Sequence, residues 1–226
     1  MSEDLNQLRD AIDSLDDEIL KALDKRMRLS DRVIAAKKGV AAFRPGREAM
    51  LVHQLVTKCQ MNEHDLAPEV VLSVWRQIMA ASLGRQNGVL NCAVHPGVMP
   101  AATWHMGCGL LAVIDDDMTK LIGAVASGHC QYAIVPADDN LNTLLASLDQ
   151  FHQLKIIART PLYDIQAMDP AFIIADYLPD PSCDDVSVYA IQSAMGFDLL
   201  RVDGHHTVVS ESCLPSEARL VGSYAR

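Results

Sequence analysis

The sequence lacks three features that would each assign it to a broad class of proteins. It has no run of about 18 apolar residues, so we expect no segment to span a membrane. The first residues, MSEDLNQL, contain no apolar core, so we expect no secretory signal. The six cysteines form no CxxC pair. This pattern is typical of reduced thiols and predicts a cytoplasmic protein.

The sequence also lacks an excess of positive charge. Its formal net charge is −10, which argues against nucleic acid or an anionic membrane as the main partner. Residues 1–87 carry 13 acidic and 13 basic side chains, whereas residues 88–226 carry 16 acidic and 6 basic ones. Helical periodicity stops and β-branched runs begin near residues 84–88. We therefore predict two domains, 1–87 all-helical and 88–226 α/β.

Three helices are predicted in the first region. Residues 4–38 contain no proline or glycine, and apolar residues recur there every three or four positions: Leu8, Ile12, Leu15, Ile19, Leu23, Val33 and Ile34. This apolar stripe predicts a helix of about 35 residues, roughly 50 Å long. We expect so long a helix to be held in an elongated bundle or an oligomer. Proline at a first helical turn predicts two more helices, over 45–59 and 68–86.

Polar side chains interrupt the apolar stripe of the first helix. At 100° per residue, Arg26, Ser30 and Lys37 lie within about 40° of Ile12. A buried charge is costly unless it is paired. Two interpretations follow: an ion pair with acidic residues of another helix, or a cavity that receives an anionic ligand.

Distances along this helix predict shared sites in a homodimer. Arg26 and Lys37 are 11 residues apart, roughly 16 Å, so both side chains can reach one small molecule. Arg9 lies 28 residues from Lys37, roughly 42 Å away, and cannot serve the same pocket. An antiparallel partner chain would bring its own Arg9 to that end.

The segments LRDAIDSLDDEILKALDKRMRLSDRVIAAKK, RPGREAML and WRQIMAASLGRQ resemble the all-helical class of chorismate mutase. The resemblance covers about residues 5–87 and includes the charged positions. It implies three-helix chains in an intertwined dimer with two equivalent sites. It also implies the conversion of chorismate to prephenate by a [3,3] pericyclic rearrangement, a step of aromatic amino-acid biosynthesis that needs neither cofactor nor metal.

The resemblance assigns roles to individual residues. Arg9 is implied to reach a substrate carboxylate from the partner chain, and Arg26 to bind the other carboxylate. Lys37 and Gln86 are implied to hydrogen-bond the ether oxygen of the breaking bond. The remaining implied contacts are Glu48 for the ring hydroxyl, Ser82 near the ring carboxylate and Arg47 beside Glu48. Arg44 departs from the family, because some members carry an aspartate at this position; if that carboxylate is needed, substrate affinity should fall.

These residue types suit the chemistry. The substrate is a dianion that rearranges without a nucleophile or a proton transfer. The catalyst needs only to hold the reactive conformer and to stabilise the charge that develops as the C–O bond stretches. Two arginines can orient the carboxylates, and Lys37 with Gln86 can stabilise the ether oxygen as an oxyanion hole would.

The second region is predicted to be a small α/β domain. Strands are expected over 110–114, 132–135, 155–157, 172–175, 186–191, 199–202 and 207–209, and helices over 118–127 and 141–151. Residues 121–162 resemble one lobe of prephenate dehydratase. The Thr-Arg-Phe segment of that family is absent, and Asp138, Asp139 and Asn140 alter its polar triplet. We interpret this region as a degenerate dehydratase-like or ligand-sensing module.

Several alternatives stay open. An isochorismate pyruvate-lyase of the same helical fold needs similar cationic residues, and a non-catalytic regulator could bind the dianion without turnover. His105 with Cys108, His129 with Cys130, and His205 with His206 lack the spacing of metal ligands, so we expect loop or surface histidines. The acidic run 115–117 is interpreted as the start of a helix.

Overall fold

A computed structural model of the chain describes residues 4–36, 41–61, 66–163 and 168–226, without the side chains of residues 34–36. The first region folds into α1 (Leu5–Ala36), α2 (Pro45–Met61) and α3 (Pro68–Asn87). These confirm the three predicted helices. The uninterrupted stretch without proline or glycine allows α1 to run for 32 residues. Pro45 and Pro68 each occupy a first helical position, where a missing N–H costs nothing.

In its described residues, the second region forms one mixed sheet of eight strands with three α-helices. The strands are β1 (Asn91–Val94), β2 (Leu111–Ile114), β3 (Tyr132–Pro136), β4 (Lys155–Thr160), β5 (Ala171–Ala175), β6 (Asp185–Ser193), β7 (Gly196–Asp203) and β8 (Arg219–Ala225). The helices are α4 (Met99–Met106), α5 (Met118–Ala126) and α6 (Leu141–Gln150). The strand order is β2-β1-β3-β5-β4-β8-β6-β7. β1 pairs in parallel with β2 and β3, whereas β5 is antiparallel to β3 and β4. The α/β prediction is confirmed.

The predicted elements of this region differ from the observed ones at four places. The strand expected over 207–209 is wrong: this segment is a turn, in which the Val208 N–H donates to the His205 carbonyl at 2.8 Å. β1, β8 and α4 were not predicted. β1 has only four residues, and β8 mixes Gly222 and Ser223 with its apolar residues. Such segments carry too little periodicity to be recognised.

Two apolar layers cover the faces of the sheet. Alternate residues of β3 point to opposite faces, so Ala133 and Val135 pack with α5 and α6 while Tyr132 and Ile134 pack with α4. The α4 layer also contains Phe43, which precedes α2 and is fully buried. α2 packs against β4 and β8, and α3 packs against α4. The helical region therefore completes one face of the sheet.

Five of the seven residues in the apolar stripe of α1 are exposed in the single chain. Ile12 and Ile19 are each 56% exposed, and Leu8, Leu15 and Val33 are exposed as well. α1 packs along α3, where Arg85 donates to Asp31 with its Nε 3.0 Å from Oδ1. None of the described helices combines the length and the apolar character that a membrane-spanning segment requires.

Candidate active site

A pocket lies between the C-terminal part of α1, the start of α2 and the end of α3. Its polar lining is Arg26, Ser30, Arg44, Arg47, Glu48, Ser82 and Gln86. We call this pocket the candidate site. Five of the residues that the sequence predicts for the site meet here, although they come from three helices. Three arginines and one carboxylate give the lining a net positive charge, which favours an anionic ligand.

Arg26 is held in the candidate site by a hydroxyl group. Its Nη1 donates to Ser82 Oγ at 2.7 Å, and Ser82 Oγ donates in turn to the Ile78 carbonyl at 2.9 Å. Within the described part of the chain, no carboxylate lies within ion-pair distance of Arg26. Burial lowers the pKa of Arg26, and the nearby Glu48 partly opposes that shift. Since a guanidinium titrates far above neutral pH, Arg26 stays cationic and can receive an anion.

Glu48 is paired with an arginine that the sequence analysis missed. Its Oε2 lies 2.6 Å from Nη2 of Arg76, a residue of α3 that is only 5% exposed. Arg76 lies on the same buried face of α3 as Leu72, Met79 and Leu83. The same test that singled out Arg26 on α1, a charge within an apolar helical face, would have found it. Arg76 holds the Glu48 carboxylate at the edge of the candidate site.

The first turn of α2 is aligned by Asp180, from the chain segment between β5 and β6. The Asp180 carboxylate accepts from the backbone N–H groups of Gly46, at 3.2 Å, and Arg47, at 3.0 Å. It also lies 3.1 Å from Nη2 of Arg44. A side chain at Gly46 would collide with the Asp180 carbonyl, so glycine is needed for this close approach. The contact orients the turn that carries Arg44, Arg47 and Glu48.

One predicted residue, Arg9, is not part of this arrangement. Arg9 is exposed on α1 and does not line the candidate site. It precedes Arg26 by 17 residues, which corresponds to about 26 Å along a helix. Lys37 lies outside the described residues.

The histidines and acidic residues that could suggest a metal centre have other partners. Within the described ranges, no group of three or more His, Cys, Asp or Glu side chains could hold a metal ion. The expectation of loop or surface histidines is wrong for His105, which is buried in α4 with Nδ1 3.0 Å from Thr160 Oγ1. His205 lies in a loop but is also buried, with Nε2 3.2 Å from the Pro179 carbonyl. Asp117 caps α5, as expected, by accepting from two backbone N–H groups of its first turn.

Comparison with known families matches residues 8–87 to the family described as chorismate mutase type II. Two curated proteins called bifunctional chorismate mutase/prephenate dehydratase are also similar. The one from Pseudomonas aeruginosa is 26% identical over 171 residues, covering 70% of this chain and 46% of the relative. The one from Stutzerimonas stutzeri is 23% identical over 167 residues, covering 69% and 45%. Both similarities therefore extend beyond α3 into the sheet. The chain spans a little under half the length of these relatives.

Two solved structures resemble the chain more distantly. Prephenate dehydratase from Streptococcus mutans has a TM-score of 0.45 at 14% identity, covering 61% of this chain and 98% of its own. GqqA, described as a novel type of quorum quenching acylase, has a TM-score of 0.44 at 12% identity, covering 60% and 95%. TM-scores of this size do not establish a common fold.

Proposed function

We propose that this chain is a chorismate mutase, on the premise that its residues 8–87 belong to the chorismate mutase type II family. The observation that carries the proposal is the candidate site, where Arg26, Arg47, Glu48, Ser82 and Gln86 line one cationic pocket. The substrate, chorismate, is a dianion and rearranges to prephenate within one molecule. A pocket that supplies positive charge and hydrogen-bond donors, without a nucleophile, suits this reaction.

Each residue of the site has a proposed role. Arg26, positioned by Ser82, binds one substrate carboxylate and restricts the substrate to its reactive conformer. The Gln86 amide and Lys37 donate to the ether oxygen, where negative charge develops as the C–O bond breaks. Glu48 accepts the ring hydroxyl, and Arg47 supports it from the same helical turn. No cofactor or metal takes part in these steps.

We further propose that the site is completed in a homodimer. The exposed apolar stripe of α1 is long enough to pack against a second copy of the chain, and its burial there would stabilise the pair. In an antiparallel pair, Arg9 of one protomer would reach the candidate site of the other and bind the second carboxylate. This placement accounts for the distance of about 26 Å that separates Arg9 from Arg26 within one helix.

For residues 88–226 we propose a degenerate dehydratase-like or ligand-sensing module without dehydratase activity. The Thr-Arg-Phe segment is absent from the sequence, and the polar residues that follow Pro136 differ from the dehydratase pattern. All six cysteines are free thiols, which supports the proposal of a reducing, cytoplasmic compartment.

The proposed function is tested by incubating the purified full chain with chorismate and following its disappearance and the formation of prephenate. We expect prephenate to form without added metal or cofactor, and no phenylpyruvate to follow. An Arg26→Ala variant that retains its fold should lose most of the rate. Binding of chorismate without turnover would instead indicate a regulator. Parallel incubation with isochorismate separates the lyase, because salicylate is fluorescent and its formation would contradict the mutase assignment.

A further inference from the structure

The start of α2 has no capping side chain in its own sequence. Arg44 precedes the first helical residue, Pro45, and its carbonyl accepts the first helical hydrogen bond, from the Glu48 N–H at 3.0 Å. Serine, threonine, aspartate and asparagine are preferred at this position, because their side-chain oxygen accepts from an N–H group of the first turn. The guanidinium of arginine only donates. The N–H groups of Gly46 and Arg47 therefore need acceptors from outside this segment.

Asp180, from the second region, provides these acceptors. Its Oδ1 lies 3.2 Å from the Gly46 nitrogen and its Oδ2 lies 3.0 Å from the Arg47 nitrogen, so one carboxylate caps both groups. The negative charge is favourable here, since the peptide dipoles of α2 make the start of the helix partly positive. The Arg44 guanidinium, 3.1 Å from Oδ2, balances that charge. The cap of α2 is thus supplied across 133 residues of sequence.

The segment that carries Asp180 is itself fixed on both sides. Ser182 donates to the carboxylate of Asp185, the first residue of β6, from its N–H at 2.8 Å and from its hydroxyl at 2.7 Å. Before Asp180, the Pro179 carbonyl lies 3.2 Å from Nε2 of the buried His205. The second region therefore sets where the Asp180 carboxylate lies, and the carboxylate sets where α2 begins.

The chain that leads into α2 is anchored to the same region. The Phe43 side chain is fully buried, with its ring edge-on to His105 at a centroid distance of 5.4 Å and to Tyr132 at 5.6 Å. The Tyr177 hydroxyl donates to the Phe43 carbonyl at 3.1 Å. Residues 43–47 are therefore held by side chains of the second region, although they lie within the part of the chain that matches the chorismate mutase family.

We propose that Asp180 is a positioning residue of the candidate site, and that the second region is needed to hold Arg47 and Glu48 in place. This inference rests on the proposed function, in which the first turn of α2 contacts the ring hydroxyl of the substrate. Arg26 and Gln86 belong to α1 and α3, so the loss of the cap leaves their helices intact. The ring hydroxyl is bound in the ground state as well as in the transition state. A frayed α2 should therefore raise the KM for chorismate more than it lowers kcat.

Hydrogen exchange tests the cap without chorismate, so its outcome is independent of mutase activity. In the full chain, we expect the Gly46 and Arg47 amides to be protected in exchange measurements by NMR. Asp180→Asn keeps the shape of the side chain but replaces one acceptor oxygen with a donor, so these amides should exchange about fivefold faster or more. Asp176→Asn, at an exposed position of the same segment, should change neither rate. Unprotected amides in the wild type, or equal rates in Asp180→Asn, would overturn the proposal.

A local cap should rescue the loss. Arg44→Ser, added to Asp180→Asn, places a hydroxyl oxygen at the usual capping position and should restore slow exchange of at least one of the two amides. A general loss of stability would not be reversed in this way. In a folded double variant, exchange as fast as in Asp180→Asn would overturn the capping role. Thermal unfolding identifies folded variants; should Asp180→Asn fail to fold, Ser182→Ala, which loosens the Asp180 segment, takes its place.

Steady-state kinetics tests the consequence for the candidate site. Asp180→Asn should raise the KM for chorismate about fivefold or more and change kcat less than twofold, whereas Asp176→Asn should change neither. In a Glu48→Gln background, the effect of Asp180→Asn on KM should shrink, because a residue that the cap positions has already been altered. An unchanged KM, or the same factor in both backgrounds, would overturn the positioning role. A wild-type chain that forms no prephenate would instead contradict the proposed function, and the exchange rates would still decide whether Asp180 is the cap.

Discussion

The α1 helix and the central sheet differ in how far one chain buries their apolar side chains. In β5, all five residues are buried, and both faces of the sheet are covered by helices of the same chain. In α1, five residues of the apolar stripe between Leu8 and Val33 remain exposed. The strands of the sheet find apolar neighbours within the same chain. The α1 helix packs along only part of its length, so the rest of its stripe has no apolar neighbour in that chain. The difference supports our proposal that a second copy of the chain completes the helical region, whereas one chain completes the sheet.

The largest expected effect comes from placing charge in the apolar stripe of α1. The double substitution Ile12→Asp, Ile19→Asp should convert a dimer to a monomer and abolish mutase activity, since two buried carboxylates would destabilise the interface by several kcal/mol. Sedimentation velocity and the chorismate assay measure both effects. Ser14→Asp, on the opposite face of α1, is the matched control and should change neither. A monomeric wild-type chain with full activity would contradict the proposal that a second chain completes the helical region.

A second prediction concerns Lys37, the residue that follows α1 in the sequence. Lys37→Ala should lower kcat by about 100-fold or more, because it removes one donor from the ether oxygen of the transition state. Lys38→Ala is the neighbouring control and should have little effect. Steady-state kinetics of both variants give the comparison, and a near-native kcat in Lys37→Ala would remove that residue from the proposed mechanism.

A third prediction tests whether two chains share each site. Arg9→Ala and Arg26→Ala should each be nearly inactive alone. After the two proteins are unfolded together and refolded, half the dimers should be mixed, and each mixed dimer should contain one intact site, so about a quarter of the wild-type activity should return. Recovery of no activity, with mixed dimers present by mass spectrometry, would show that both arginines act within one chain.

The smallest expected effect concerns the contact between the helices and the sheet, where His105 is buried. Its pKa is lower in the folded chain than in the unfolded one, so the unfolded state binds more protons in acid. Stability from this group is present above the unfolded pKa of about 6.5 and falls below it, by at most about 1.4 kcal/mol per pH unit. Between pH 7 and pH 5.5, denaturant unfolding should show a smaller loss of unfolding free energy in His105→Gln than in the wild type. The control His152→Gln, at an exposed position, should lose as much unfolding free energy as the wild type.

Much of the candidate site could be predicted from the sequence. Helical periodicity places Arg26 and Ser30 on the α1 stripe, and Ser82 and Gln86 on one face of α3. The assignment of Ser82 and Gln86 to the site came from the resemblance to chorismate mutase. The pairing of Glu48 with Arg76 did not follow, because the two residues belong to different helices and no local pattern couples them. Nor could the role of Asp180 be found, since 133 residues separate it from Arg47.

The sequence by itself determined the three N-terminal helices, most of the strands and the presence of cations within an apolar helical stripe. These features depend on backbone propensity and on side-chain spacing over a few residues, which the order of amino acids specifies directly. Only the tertiary structure decided how the sheet and helices meet: Asp180 at the start of α2, Phe43 in the core of the sheet, and Arg76 paired with Glu48. Those contacts join residues distant in the chain, and their geometry follows from packing.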